Sequence, residues 1–215
     1  MKTVIITGAT SGIGKATAEL LNGKYNVVNI SLSNGYDLTK EDALDSFHAD
    51  NVCAIVNNAA MCPKKFFYQY TDKEWTEIVN INLRAPWKLV TKFVPALKHN
   101  KGSVVNVSSV HAVATIPNNS IYAMTKGGLE SLTRGMAMEL APMGIRVNCV
   151  RPGSTMTPML RYKAGMENTI PLNKVAKPVE IANVIAFLIS DKASFITGEC
   201  ISVDGGALAK LSVSK

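Results

Sequence analysis

Tyr122 and Lys126 stand four residues apart in a stretch with helical periodicity, and Ser109 lies thirteen residues before Tyr122, at the end of an apolar run. Residues four apart share a helix face, so the phenol and the ammonium are neighbours. A free tyrosine titrates near pH ~10, too high for proton transfer at neutral pH. An adjacent ammonium favours the phenolate and lowers that value. A serine hydroxyl close by would orient a carbonyl or alcohol oxygen. The set suits moving a proton on and off an oxygen while a hydride moves at carbon. Alone, a Tyr-x-x-x-Lys pair is most often two chance surface neighbours. What gives this one weight is a glycine pattern at the other end of the chain.

Val4-Ile5-Ile6 reads as a buried strand, being β-branched and followed directly by turn residues. Thr7-Gly8-Ala9-Thr10-Ser11-Gly12-Ile13-Gly14 comes next, then a helical pattern with Ile13, Ala16, Leu20 and Leu21 on one face and Gly23 at the position of a C-terminal cap. Strand, glycine turn and helix form the context of a dinucleotide fingerprint. Glycines let the backbone turn tightly and approach a pyrophosphate, which sits at the positive end of the helix. The spacing here is Gly-x-x-x-Gly-x-Gly.

Further motifs follow in register: Asn57-Asn58-Ala59-Ala60, Asn82, Ser109, Tyr122 with Lys126, Pro152-Gly153 with Thr157, and Val203-Asp204-Gly205-Gly206. In order and spacing the chain resembles the short-chain dehydrogenase/reductase family from Lys2 to about Leu208. The resemblance implies a Rossmann oxidoreductase using NAD(H) or NADP(H), with a small alcohol or carbonyl as substrate.

At 215 residues, 47% hydrophobic and 18% charged, the chain suits one globular domain over residues 1–215. No apolar run approaches the roughly 20 residues needed to cross a bilayer, and Met1 to Ile6 is too short for a signal segment, so a soluble cytoplasmic protein is expected. The net charge of +7 raises nucleic acid as a partner, but the lysines are dispersed and Lys64-Lys65 is the only adjacent basic pair. No nucleic-acid partner is expected. Cys53, Cys149 and Cys200 fall in apolar strands and read as core thiols; Cys62 has no Cys-x-x-Cys partner, and three scattered histidines make no metal set. His111 either faces substrate or is a solvated loop residue, and is read as the latter.

The remaining strands are read as Val27 to Ile30, Cys53 to Val56, Ser103 to Val107, Ile145 to Val150 and Cys200 to Val203. Thr71 to Glu74 is a capping box opening a helix with Trp75, Ile78 and Val79 inward. Leu129, Leu132, Met136 and Leu140 extend the Tyr122 helix, and Pro178 opens another with Ile181, Val184, Ile185 and Leu188 facing a core. Alternating strands and helices predict a doubly wound parallel α/β sheet of about six to seven strands with helices on both faces. Between Ile30 and Asp37 there is no room for the crossover helix and third strand that family members fit there. Edge strand three is therefore expected to be shortened or missing.

Site roles follow from the resemblance. Tyr122 would be the acid/base, Lys126 would lower its pKa and bind the nicotinamide ribose, Ser109 would hold the substrate oxygen, and Asn82 would support a proton-relay water. On its own Asn82 serves equally as a helix-bending residue. Gly8, Thr10, Ser11, Gly12, Ile13, Gly14, Ser31, Asp37, Leu38, Asn58, Ala59, Ala60, Pro152, Gly153, Thr155 and Thr157 would bind the dinucleotide together with Tyr122 and Lys126. Ala60 replaces the usual glycine. Ser31 stands where an acidic residue would select NAD(H), so NAD(P)(H) is expected with a lean to NADP(H). Met156, Met159, Leu160, Tyr162 and Met166 make the short substrate segment apolar, or simply pack. The family also dimerises or tetramerises through the Tyr122 helix and the one before it, and Trp87, Phe93, Val94, Met136 and Met138 supply apolar surface for that. A catalytically silent dinucleotide sensor or structural subunit is the competing reading.

Overall fold

Short β-branched runs become the strands of a parallel sheet: β1 (Thr3–Thr7), β2 (Asn26–Ile30), β3 (Val52–Asn57), β4 (Ser103–Val107), β5 (Arg146–Pro152) and β6 (Cys200–Val203). The computed structural model describes residues 1–210; residues 211–215, which the sequence assigns to the same domain, lie outside the described residues. The sheet has six strands in the order β2-β1-β3-β4-β5-β6, all parallel. The chain runs outward from β1 to β2 and then returns to β1's other side with β3. That reversal opens a crevice at the strands' carboxyl ends, where open α/β sheets bind ligands.

Helices α1 (Gly12–Leu21) and α5 (Pro178–Ile189) cover one face, and α3 (Ala85–Asn100) and α4 (Ser120–Leu140) the other, with α2 (Asp72–Val79) beside α4. Alternation along the strands sorts the core. Val4, Ile6, Val105 and Val107 pack with Ile181, Ile185 and Leu188 of α5. Ile5, Val104 and Val147 pack with Leu89 and Leu97 of α3 and with Met136 and Leu140 of α4. Burial on both faces is why these strands read as unbroken apolar runs. None of the helices is long and apolar enough to cross a membrane, among the described residues.

The expected loss at the sheet edge is present. After Ile30 the chain makes one 3-10 turn, Leu32–Asn34, closed by Gly35 at φ 86°, and no further strand forms before β3 among the described residues. Coil takes the place of a strand layer. Leu38, Leu44 and Phe47 are buried against α3, and Phe47 meets Tyr36 and Phe93 edge-on at 5.4 and 5.8 Å. Asn80 Nδ2 donates to Thr39 O at 2.8 Å, and Lys92 Nζ donates to Leu44 O and Asp45 O at 2.8 Å each. These donors satisfy carbonyls that a strand ladder would otherwise occupy.

Several side chains sit differently from their sequence reading. Trp75 and Leu20 are exposed, because the faces that pack on α1 and α2 centre on Gly14, Thr17 and Leu21, and on Ile78. Of the residues expected at an intersubunit surface, Phe93 and Met136 are buried in the core while Trp87 and Met138 are exposed. Cys200, read as a core thiol, is only half-buried because β6 closes the sheet. It is the direct neighbour of Cys149 across β5 and β6, with Glu130 alongside. Arg151 holds the Glu130 carboxylate through Nε at 2.8 Å and Nη2 at 2.7 Å.

Candidate active site

The glycine turn calls for glycine in two ways, by positive φ at Gly8 and Gly12 and by close packing at Gly14. Gly8 and Gly12 have φ of 70° and 54°, a region that favours glycine. A Cβ on Gly14 would lie 2.4 Å from Gly8 O and 2.5 Å from Asn58 Nδ2. Asn58 locks the turn to β3, donating through Nδ2 to Thr7 O at 2.9 Å and Gly8 O at 3.2 Å. Thr7 Oγ1 accepts from the amides of Asn58 and Ala59, both at 2.9 Å. At the other end, Gly153 abuts Asp204, whose Cα would stand 2.8 Å from an added Cβ. The Asp204 carboxylate in turn accepts from the amides of Gly206 and Leu208 at 2.9 and 2.8 Å. The Val203 to Gly206 motif thus props the loop that follows β5.

These turns border an open cleft of about 590 Å³. Gly8, Thr10, Ser11, Gly12, Ile13, Asn58, Ala59, Ala60, Ser109, Tyr122, Lys126, Pro152, Gly153, Thr155 and Thr157 all line it. Gly14, Ser31, Asp37, Leu38 and Asn82 do not. Gly14 lies beneath the turn. Leu38 is buried in the core, and Asp37 Oδ1 is occupied by the Thr39 hydroxyl at 2.6 Å and its amide at 3.1 Å. Ser31 is buried, its Oγ 3.1 Å from Asn29 Nδ2 and 2.9 Å from Ser33 Oγ.

Asn82 is fully buried in a single π-helical turn, Asn80–Arg84, between α2 and α3. Its Oδ1 accepts from Met61 N at 2.8 Å, and its Nδ2 donates to Met61 O at 2.9 Å and Thr125 Oγ1 at 3.0 Å. The amide therefore ties the wall after Ala60 to the helix that carries Tyr122.

Tyr122 and Lys126 are almost wholly buried, and the Lys126 Nζ lies 5.6 Å from the centre of the phenol ring. Lys126 Nζ donates to Val107 O at 2.7 Å. Ser108 Oγ donates to Glu130 Oε1 at 2.9 Å, so the Glu130–Arg151 pair braces the strand end behind the lysine. Here the expected electrostatics reverse. Burial raises Tyr122 well above its ordinary pKa, with the Ser109 hydroxyl only partly offsetting it. The same burial pulls Lys126 down to about 8. Desolvation outweighs the ammonium because both groups leave water together.

Among the cleft residues that were not singled out as site residues by sequence are Cys62, Lys64, Asn119 and His111. His111, read as solvated, is half-buried with its ring edge-on to Tyr122 at 5.9 Å. The 3-10 turn after Ser109 folds it inward, with His111 N donating to Ser109 Oγ at 3.2 Å. Asn119 lies three residues before Tyr122 at the helix start, a spacing that places both on one face. Its Oδ1 accepts from the Cys62 thiol at 3.4 Å. Met159 and Leu160 line the cleft, and Met156 and Tyr162 do not; Met156, Met159 and Tyr162 are all exposed.

The residues present fit a dinucleotide. Gly8 and Gly12, with φ values that favour glycine, line the open cleft at the N-terminus of α1, with no carboxylate among the described lining residues.

Comparison with known proteins agrees with this geometry. The enoyl-(acyl carrier protein) reductase family profile matches residues 28–207. The 3-oxoacyl-[acyl-carrier-protein] reductase FabG of Thermotoga maritima is 33% identical over 240 aligned residues, covering 95% of this chain and 97% of that protein. The crystal structure of a 3-ketoacyl-(acyl-carrier-protein) reductase from Brucella melitensis complexed with NADH superposes with a TM-score of 0.85 at 31% identity, over 96% of this chain and 98% of that one. A putative 2-deoxy-d-gluconate 3-dehydrogenase from Agrobacterium tumefaciens with bound NADP gives 0.86 at 27% identity, over 97% of each. With sheet order, glycine turn and matches along nearly the whole chain in agreement, the chain belongs to the short-chain dehydrogenase/reductase family.

Proposed function

We propose that the protein interconverts a secondary alcohol and a carbonyl, with Tyr122 as the acid/base. The observation that carries this reading is the buried Tyr122–Lys126 pair opening, beside Ser109, on a cleft of dinucleotide dimensions. A bound nicotinamide supplies or accepts the hydride at the substrate carbon. Tyr122 gives its phenolic proton to the carbonyl oxygen in reduction and takes it back in oxidation. Ser109 holds that oxygen within reach of the phenol. Lys126 lies behind the phenol and lends positive charge when protonated. Asn82 fixes the Met61 backbone, and through Thr125 it fixes the face of α4 that presents both groups. A silent sensor has no use for such a buried proton donor.

The dinucleotide would lie along Gly8 to Gly14, with Ala59 and Ala60 beside the adenosine and Pro152, Gly153, Thr155 and Thr157 near the carboxamide. Ser31 and Ser33 form a hydroxyl cluster at the end of β2 with no acidic residue to repel a 2′-phosphate. This supports NADP(H) over NAD(H). A panel of alcohols and ketones with both dinucleotides, followed by nicotinamide absorbance, tests the assignment; no turnover on any member would refute it.

The same reading includes a homodimer or homotetramer. Val79, Leu83, Trp87, Gly128 and Leu132 line an apolar hollow between α3 and α4, where Gly128 permits close approach and Trp87 protrudes. Light scattering at micromolar concentration should give a dimer or larger, and a monomer would contradict it. The four free cysteines suit a reducing cytoplasm.

A further inference from the structure

The mouth of the cleft carries positive charge that forms no ion pair among the described residues. Lys64 lines the cleft and is exposed. Its neighbour Lys65 is paired with Glu74, but Lys64 forms no ion pair among the described residues. Arg161, in the loop after β5, is likewise exposed and forms no ion pair among the described residues. The fields of both reach Cys62, where they oppose the burial that pushes its thiol up. Lys64 also adds to the burial that holds the His111 ring below its ordinary pKa. Two loops far apart in sequence thus bring cations near the Cys62 end of the cleft, Lys64 on its lining and Arg161 next in the chain to the lining residue Leu160. Neither Asp nor Glu lines that cleft among the described residues to answer them.

An uncharged apolar substrate would make no use of this arrangement. A neutral His111 offers a hydrogen-bonding edge and no third charge, while Val110, Met159 and Leu160 supply apolar contact between the reacting carbon and the mouth. Charges of one sign around a low-dielectric cleft concentrate ligands of the other sign.

We propose that the substrate carries an anionic group, a carboxylate or a phosphate, which Lys64 and Arg161 meet at the mouth while the carbonyl or alcohol reaches Ser109 and Tyr122. This inference rests on the oxidoreductase reading of the same cleft. No bond to the anion forms or breaks; it sets approach and register.

The test uses matched pairs: oxo acids of increasing length against their methyl esters, and dihydroxyacetone phosphate against dihydroxyacetone. Each is assayed with both dinucleotides at low and high salt. The anionic member should lead by roughly five- to twentyfold in kcat/KM at low salt, as two partly solvated cations allow. The gap should narrow as salt screens it. The Lys64→Gln, Arg161→Gln double variant should bring the ratio close to one. A preference confined to acids or to phosphates supports the proposal and names the anion. Neutral members used as well as their anionic partners would overturn this inference alone, as would a preference that survives the double variant. No turnover on any member with either dinucleotide would overturn the oxidoreductase reading and this inference with it.

Discussion

The two sides of the cleft are held in opposite ways. On the wall formed by β4 and α4, Tyr122, Lys126 and Asn82 are buried and Lys126 and Asn82 are tied by hydrogen bonds to backbone. On the rim, Lys64 is exposed, and the loop after β5 exposes Met159. The wall can keep its geometry only if the core beneath it is intact. The rim can change its side chains at little cost to folding. In the proposed mechanism, proton transfer is therefore built into the scaffold, while the choice of substrate rests on groups that the scaffold hardly constrains.

The largest effect expected lies on the wall. Tyr122→Phe keeps the ring but removes the transferable proton, so kcat should fall by roughly 10²-fold or more while the dinucleotide Kd is nearly unchanged. Near-normal turnover would remove Tyr122 from the chemistry and dissolve the contrast.

Burial of the wall also predicts a pH signature. Lys126 is held down to about 8 in the folded protein, against an ordinary 10.5. Below pH ~8 both states are protonated and the cost of burying the charge is felt in full. Above it the unfolded chain binds the extra proton, so stability should rise with pH, by about 2–3 kcal/mol between pH ~8 and ~10. Tyr122, whose folded pKa is raised, has the opposite sign, and its contribution declines once the unfolded tyrosine ionises above pH ~10. Urea unfolding at the two ends of that window should resolve the rise, and Lys126→Met should abolish it.

Ser31 lies between the two regimes, buried at the end of β2, where the proposed function puts the adenosine ribose. Ser31→Asp should shift relative kcat/KM towards NAD(H) by about 1–2 kcal/mol through repulsion of a 2′-phosphate. An unchanged ratio would mean that the short segment after Ile30 holds Ser31 away from the ribose. The smallest effect belongs to the rim itself. Met159 lines the cleft and is 45% exposed, so Met159→Ser should change the unfolding free energy by no more than about 0.5 kcal/mol, with any kinetic change appearing in KM and not in kcat. A large loss of stability would show that the rim is part of the scaffold after all.

What could be seen in the sequence divides along similar lines. The glycine turn was legible because positive φ and close backbone approach each demand a residue without a Cβ. The absent strand was legible because Ser31 to Tyr36 is too short for a helix and a strand. Local spacing also gave the Tyr122–Lys126 face. It could not give the direction of their pKa shifts, which depends on how much of β4, β5 and Asn82 closes over them. Periodicity identified an apolar face at Trp75 and Leu20 but not whether any neighbour covers it. Cys62 and Asn119 meet only in three dimensions, and His111 turns inward because of a short 3-10 turn whose sequence, Val110 to Ala112, looks like ordinary loop.

The segment between β2 and β3 has a consequence for how such a chain can diversify. Leu38, Leu44 and Phe47 plug the core from an irregular stretch, and Ser109 and Lys126 hang on β4 and α4, three strands from the sheet's β2 edge. The length of that joint can therefore change without displacing the proposed reaction centre. A protein engineer could use it in the same way, grafting an added module beside β2 without reopening the chemistry.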